Sequence, residues 1–375
     1  MKKATLTSIV ILILLTALLF LYLRISQKEE ESTKVIPKKE EKVAEETPAA
    51  EEIFAKNLEI PWDIAFLPDG DLLVTERTGV LKRFSKDGSE KGEVKVSGVN
   101  HYGEGGLLGL VLHPKFLENR YLYLYLTSKK GLGFENRIER YKYEDGSLSD
   151  RNVILGGIPG AIYHDGGRMA FGPDGYLYVT VGDATNSDSA QDTNSLAGKI
   201  LRMTDEGKAP LDNPFNNLVY SYGHRNPQGL TWDDAGRLWS TEHGRSGALS
   251  GLDELNLIEK GKNYGWPVIE GDKKKENMEN PLLHSGPDHT WAPASALFYE
   301  GSIFFGGLRG EALYEAKISN GNVVLKEHFK NKYGRIRTVT LGSDGFFYLT
   351  TSNRDGRGDV NEGDDRIIKV NPKVL

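Results

Sequence analysis

The fold this sequence predicts is an all-β, six-bladed β-propeller, and three observations predict it. One hairpin phrase recurs along the chain, glycine is abundant at 43 of 375 residues, and helix-like apolar periods are few. The phrase is a short apolar run, a Pro-Asp-Gly or similar turn, and an alternating strand ending in Thr or Ser. It occurs at Pro61 to Thr75, at Leu108 to Pro114 leading into Arg120 to Tyr125, and at Met169 to Asp183. It returns at Gly229 to Ser240 and Val339 to Thr350, with a degenerate copy at Ala294 to Gly306. Asp-Gly between two strand-like runs marks a hairpin, because glycine accepts positive φ in a tight turn. Spacings of roughly 45 to 65 residues suit propeller blades with loops, whereas a β-sandwich would not repeat so regularly. The count is six blades, or five or seven if the degenerate copy is misread.

Three segments follow in order. Met1-Lys2-Lys3 precedes an apolar run from Ala4 to Leu23 that Arg24 closes. A run of roughly 20 apolar residues is long enough to span a bilayer, with its lysine end cytoplasmic. Residues 1–26 are therefore expected to be a signal anchor, with a cleaved signal peptide as the alternative. The rest of the chain would then lie outside the cytoplasm, membrane-anchored or, after cleavage, secreted. Residues 27–52 are almost all Lys, Glu, Pro, Ala, Ser and Thr, without an aromatic, a composition expected of a disordered charged tether. The propeller is expected over 53–375.

Composition excludes several classes. The net charge of −6 comes with no basic stripe, so nucleic-acid binding has little support. The chain has no cysteine, which removes disulfides, thiolate metal sites and lipoprotein attachment. No Walker loop or dinucleotide fingerprint is present, and no two of the eight histidines have His-x3-His spacing.

In a propeller, the loops entering the inner strands converge on one face. The segments just before each phrase carry Trp62-Asp63, Glu104, His164 with Arg168, His224-Arg225-Asn226, Trp291, and Arg335 with Arg337. Neutral imidazole accepts a proton near pH 7, which makes His164 the candidate base, against the alternative of a turn histidine bonded to backbone. Arg168 reads as a structural arginine. Arg225 and Asn226 suit carbonyl or carboxylate oxygens. Arg335 and Arg337 alternate along a strand and so point the same way. If that way is the channel, together with Arg309 they would bind an anion bearing several carboxylates or phosphates; if outward, they are a solvated face. Carboxylates among Gly-rich loops at Thr241 to Arg245, Asp253 to Asn256 and Asn263 to Pro267 suit calcium, although no loop has EF-hand spacing.

An ordered set of motifs carries a resemblance: Gly103-Glu104-Gly105-Gly106-Leu107-Leu108-Gly109, His164-Asp165-Gly166-Gly167-Arg168, Leu196-Ala197-Gly198-Lys199-Ile200-Leu201-Arg202, Gly223-His224-Arg225-Asn226-Pro227-Gln228-Gly229, Asp253-Glu254-Leu255-Asn256 and Asn263-Tyr264-Gly265-Trp266-Pro267. Over about residues 55 to 370 the chain resembles the soluble quinoprotein glucose dehydrogenase and aldose sugar dehydrogenase family. The resemblance implies a six-bladed propeller holding pyrroloquinoline quinone (PQQ) and calcium at the channel mouth and oxidising the C1 hydroxyl of aldoses to a lactone. It implies His164 as the base and Arg225 as the group polarising the accepting carbonyl. Glu104, Gln191, Asn226, Arg309, Arg335 and Arg337 would contact the cofactor, and Trp291 and Tyr163 the sugar. Calcium would sit on carbonyls near Gly244 and Arg245, and a second, structural calcium near Glu254 and the Tyr264 carbonyl. Glu104 stands where the family usually carries Gln, which would set a carboxylate beside the base. Tyr163 replaces an acidic residue, and the stretch from Gly244 to Asp253 lacks the expected Pro. With no haem motif, electrons would leave to an external acceptor. The competing readings are a calcium-dependent propeller lactonase or esterase and a non-catalytic sugar- or protein-binding propeller.

Overall fold

The computed structural model describes residues 16–24, 50–247, 250–319 and 322–375. The expected membrane-spanning run lies partly outside them; of the expected segment 1–26, residues 16–24 are helical. Among the described residues no helix is long and apolar enough to cross a membrane. The expected tether lies outside the described residues as far as 49.

Residues 51–375 form six four-stranded antiparallel sheets. Their first strands are Pro61–Phe66, Leu107–Leu112, Met169–Phe171, Pro227–Trp232, Pro293–Tyr299 and Ile336–Leu341. Each is the neighbour of the next around a closed ring, so the degenerate copy is a true fifth blade. The turns follow the sequence pattern: Gly175 and Gly345 sit at φ of 81° and 80°, where a Cβ would be strained. The second strands Leu72–Glu76, Leu177–Val181, Leu238–Glu242 and Phe347–Thr351 are buried throughout, because neighbouring blades cover both faces. Each large apolar side chain buried there stabilises by ~1.5–3 kcal/mol.

The recurrent hydroxyls join blade to blade. Thr75 Oγ1 donates to the Leu108 carbonyl (2.6 Å), Thr241 Oγ1 to that of Ala294 (2.5 Å), and Thr338 Oγ1 to that of Trp62 (2.6 Å). The ring closes through strand β1 (Glu51–Ala55), which adds the outermost strand to the sixth sheet beside Ile367–Val370. The propeller therefore begins at Glu51 and not at 53. Glu51 and Glu52 pair in register with Val370 and Lys369, and Lys332 and Lys369 answer their charges. Acidic composition hid a strand whose partner lies at the far end of the chain.

Candidate active site at the channel mouth

A cavity of about 330 Å³ opens where loops of blades two to six converge, lined by Glu104, Tyr163, His164, His243, Arg309 and Arg335 among others. A chamber of about 30 Å³ adjoins it, lined by Trp62, Arg77, Asp165, Gln228, Arg337 and Asp355, and shares Glu104, His243 and Arg357 with the mouth.

His164 stands in the left-handed region at φ 65°, a conformation that surrounding contacts must hold in place. Its N–H donates to Glu104 Oε2 (2.9 Å) and its carbonyl accepts from the Ala184 N–H (3.2 Å). The ring Nδ1 lies 2.8 Å from Asp183 Oδ1. Asp183 accepts also from the Thr185 N–H (2.8 Å) on Oδ1 and from Trp266 Nε1 (2.9 Å) on Oδ2. A carboxylate collecting donors on both oxygens assigns the proton to Nδ1 of His164 and leaves Nε2 as the basic nitrogen of a cavity-lining ring.

Glu104 was expected to sit beside the base. It holds the base's main chain instead, and its Oε1 accepts from Arg357 (2.8 Å). Burial alone would raise its carboxyl, but the neighbouring charge of His243, the His164 N–H and Arg357 outweigh that and hold it low, at about 2. The carboxylate that contacts the ring is Asp183.

Arg335 and Arg337 both face the channel. Arg335 is satisfied: Nε and Nη2 reach Asp355 Oδ2 (3.1 and 2.7 Å) and Nη1 reaches the Leu308 carbonyl (3.1 Å). For Arg337, burial and then the charge of Arg77 push the guanidinium down to about 9, with Asp355 opposing. Arg225 is 6 % exposed; its Nη2 donates to Ser246 Oγ (2.9 Å) and its guanidinium lies 5.3 Å from the Trp266 ring centre. Its Nε and Nη1 have no hydrogen-bond partner among the described residues, and neither do Asn226 Nδ2, Arg77 Nε or His243 Nε2. Burial pulls Arg225 below its usual range, with Asp183, Glu104 and Glu242 opposing. Arg309 is exposed at the rim. Asn226 Oδ1 accepts from the Gly166 N–H (3.1 Å), which ties the arginine loop to the base loop.

Two expected contacts lie elsewhere. Gln191 lines neither chamber: its amide is engaged by Asn263 (3.1 and 2.8 Å) and by the Trp266 carbonyl (2.6 Å). The Trp291 ring packs on Phe305 and Tyr314 in the core of blade five, while its chain neighbours Thr290 and Ala292 line the mouth. A large apolar ring gains more from the interblade core than from a wet rim. Tyr163 does line the mouth, with Arg357 5.6 Å from its ring centre.

Gly244, Arg245, Glu254 and Tyr264 line one small cavity of about 10 Å³ together with Arg225 and Glu242. Burial, then the charge of Glu242, raises the Glu254 carboxyl to about 8, the environment that a bound cation would reverse. Among the described residues no three His, Asp or Glu side chains are grouped to hold a metal by themselves. A cation here would draw on carbonyl oxygens, and those of Gly251 and Leu252 crowd the Gly244 Cα closely enough to exclude a side chain.

Sequence reasoning missed Arg77, Asp183, Arg357 and Asp355. Asp183 had a signal, since it closes the third hairpin phrase. Arg357 and Asp355 come from an aperiodic loop after the last blade's second strand, which gave none.

Comparison with known proteins agrees with this geometry. The family model described as glucose/sorbosone dehydrogenase matches residues 58–362. The aldose sugar dehydrogenase YliI of Escherichia coli is 31 % identical over 361 residues, covering 86 % of this chain and 92 % of its own. An uncharacterised Synechocystis protein is 36 % identical, covering 80 % of this chain and 83 % of its own. The structure of the PQQ-bound aldose sugar dehydrogenase of Streptomyces coelicolor superposes with a TM-score of 0.79 at 40 % identity, covering 85 % of this chain and 96 % of that one. Fold, mouth and ordered motifs therefore lead to one conclusion: the chain belongs to the glucose/sorbosone dehydrogenase family.

Proposed function

We propose that this protein is a PQQ-dependent sugar dehydrogenase that oxidises the C1 hydroxyl of aldoses, glucose among them, to the lactone. The observation that carries the reading is a histidine with one nitrogen committed to Asp183, beside buried arginine and asparagine donors that have no acceptor among the described residues. Arg225 and Arg337, buried without an ion pair among the described residues, call for an anion opposite them, and with Asn226, the rim Arg309 and Arg335, which Asp355 orients, they would hold the cofactor. PQQ, when bound, supplies the acceptor for the C1 hydride, and its quinone and carboxylate oxygens match that donor set. His164 Nε2 takes the C1 hydroxyl proton, and Asp183 stabilises the imidazolium that forms. Arg225 places positive charge where negative charge develops. Calcium on main-chain carbonyls around Gly244 and Arg245 would add Lewis acidity, and the Glu254 and Tyr264 site a structural cation.

Electrons then pass to an external acceptor. The apolar run from Ala4 to Leu23 supports an extracytoplasmic, membrane-tethered or secreted location, which fractionation of the expressing cell would test. The function is tested by reconstituting the protein with PQQ and calcium and following reduction of an artificial acceptor with glucose. His164→Ala should lose on the order of 10²–10⁴-fold in turnover while still binding PQQ. Absence of turnover in the wild type, or equal turnover in the variant, would sink the reading. Turnover of a lactone or ester without PQQ would favour the hydrolase alternative.

A further inference from the structure

We propose that Trp266 is a positioning residue that locks the base and the buried arginine into one geometry; this rests on the reading of His164 as the base. Trp266 is fixed on both sides of its backbone: its N–H donates to the Gly223 carbonyl (2.9 Å), and its carbonyl accepts from Gln191 Nε2 (2.6 Å). The side chain then makes two contacts of different kinds. Indole Nε1 donates to Asp183 Oδ2 (2.9 Å), and the ring face lies against the Arg225 guanidinium, 5.3 Å from its centre. Asp183 is also joined to Arg225 through the main chain, its N–H donating to the Arg225 carbonyl (2.7 Å).

These contacts have a mechanical consequence. Asp183 Oδ1 takes His164 Nδ1 and the Thr185 N–H, so without a donor on Oδ2 the carboxylate can swing about its terminal torsion. The indole N–H removes that freedom and holds Nδ1 of His164 as the donor nitrogen. The same ring supplies a cation–π face to an arginine whose Nε and Nη1 have no acceptor among the described residues. Gln191, expected from the sequence at the cofactor, acts through Trp266 in this arrangement.

The test compares Trp266→Phe, Asp183→Asn and the double variant. Phe keeps a six-membered aromatic face for Arg225 and removes the indole's pyrrole ring with its N–H. In the enzyme reconstituted with PQQ and calcium, Trp266→Phe should lower kcat on the order of tenfold with KM for glucose changed less than about twofold. In the Asp183→Asn background the same substitution should add nothing. In the cofactor-free protein, ring ¹⁵N shifts should show His164 losing its Nδ1–H tautomer in Trp266→Phe. A wild-type kcat in Trp266→Phe, or equal losses in both backgrounds, would overturn the proposal. If Trp266→Phe does not fold, the indole Nε1–H resonance decides: it should move upfield in Asp183→Asn, and an unmoved resonance overturns the link. If the wild type turns over no sugar yet the tautomer changes, the positioning link stands and the dehydrogenase reading fails.

Discussion

Arg168 and Arg225 are equally buried, at 5 % and 6 % exposure, yet the molecule treats their charges in opposite ways. Arg168 lies in the channel wall, ion-paired with Asp63, donating through Nε to the Gln228 carbonyl (3.1 Å) and stacked 4.2 Å from the Trp62 ring centre, with only Nη2 unpartnered among the described residues. Arg225, at the mouth, also faces a tryptophan, but its one side-chain hydrogen bond among the described residues goes to Ser246, leaving Nε and Nη1 free. A buried guanidinium ion-paired within the protein serves the scaffold, whereas one with no carboxylate partner among the described residues is arranged for something that arrives later. That difference separates Arg168 from Arg225 more sharply than burial or residue type does.

The largest expected effect breaks the wall. Arg168→Met leaves Asp63 buried without its partner and should destabilise by ~3–5 kcal/mol, read by denaturant unfolding of the cofactor-free protein. Its mouth counterpart sharpens the contrast. Arg225→Met should leave cofactor-free stability unchanged or raised, since no protein carboxylate loses an ion pair, while turnover falls on the order of 10²–10³-fold. Equal destabilisation by the two substitutions would erase the distinction.

A smaller effect concerns Glu104, the charged exception that the protein answers for itself. Its folded carboxyl, held at about 2 against an ordinary 4.5, favours the folded state above pH 4.5 and loses that contribution as pH falls toward 2. Glu104→Gln keeps an acceptor for the His164 N–H, so its stability deficit should be ~1–2 kcal/mol at pH 7 and vanish near pH 2. A deficit independent of pH would deny Glu104 its charge. The smallest expected effect lies in the ring itself: Thr338→Val removes one blade-to-blade hydrogen bond and should cost ~0.5–1.5 kcal/mol without changing KM.

Much of the scaffold was legible because a hairpin is a local object. Alternating side chains and an Asp-Gly turn are properties of about a dozen consecutive residues, so each inner pair of strands could be read where it stood. The strand Glu51–Ala55 could not, since two glutamates resemble linker until Val370 and Lys369 are placed beside them. The candidate site divides in the same way. His164, Arg225 and Asn226 were found because they precede blade phrases. Trp291 also precedes one, but its ring turned into the blade core, a choice made by packing volume that spacing does not encode. Gln191 sits in a matching motif, yet its amide is taken by Trp266 and Asn263, more than seventy positions away along the chain.

The sequence by itself determined six hairpin-built blades, the order in which they close, and the polar groups sent to the loops of one face. Those follow from residue periodicity and turn chemistry, which act over short separations. Only the tertiary structure decided which buried charges are ion-paired and which are not. Asp183 took the base, Asp355 took Arg335, and Asp63 took Arg168, while Arg225 was left with donors to spare. Ion pairing depends on distances between distant segments, and those distances exist only once the ring has closed.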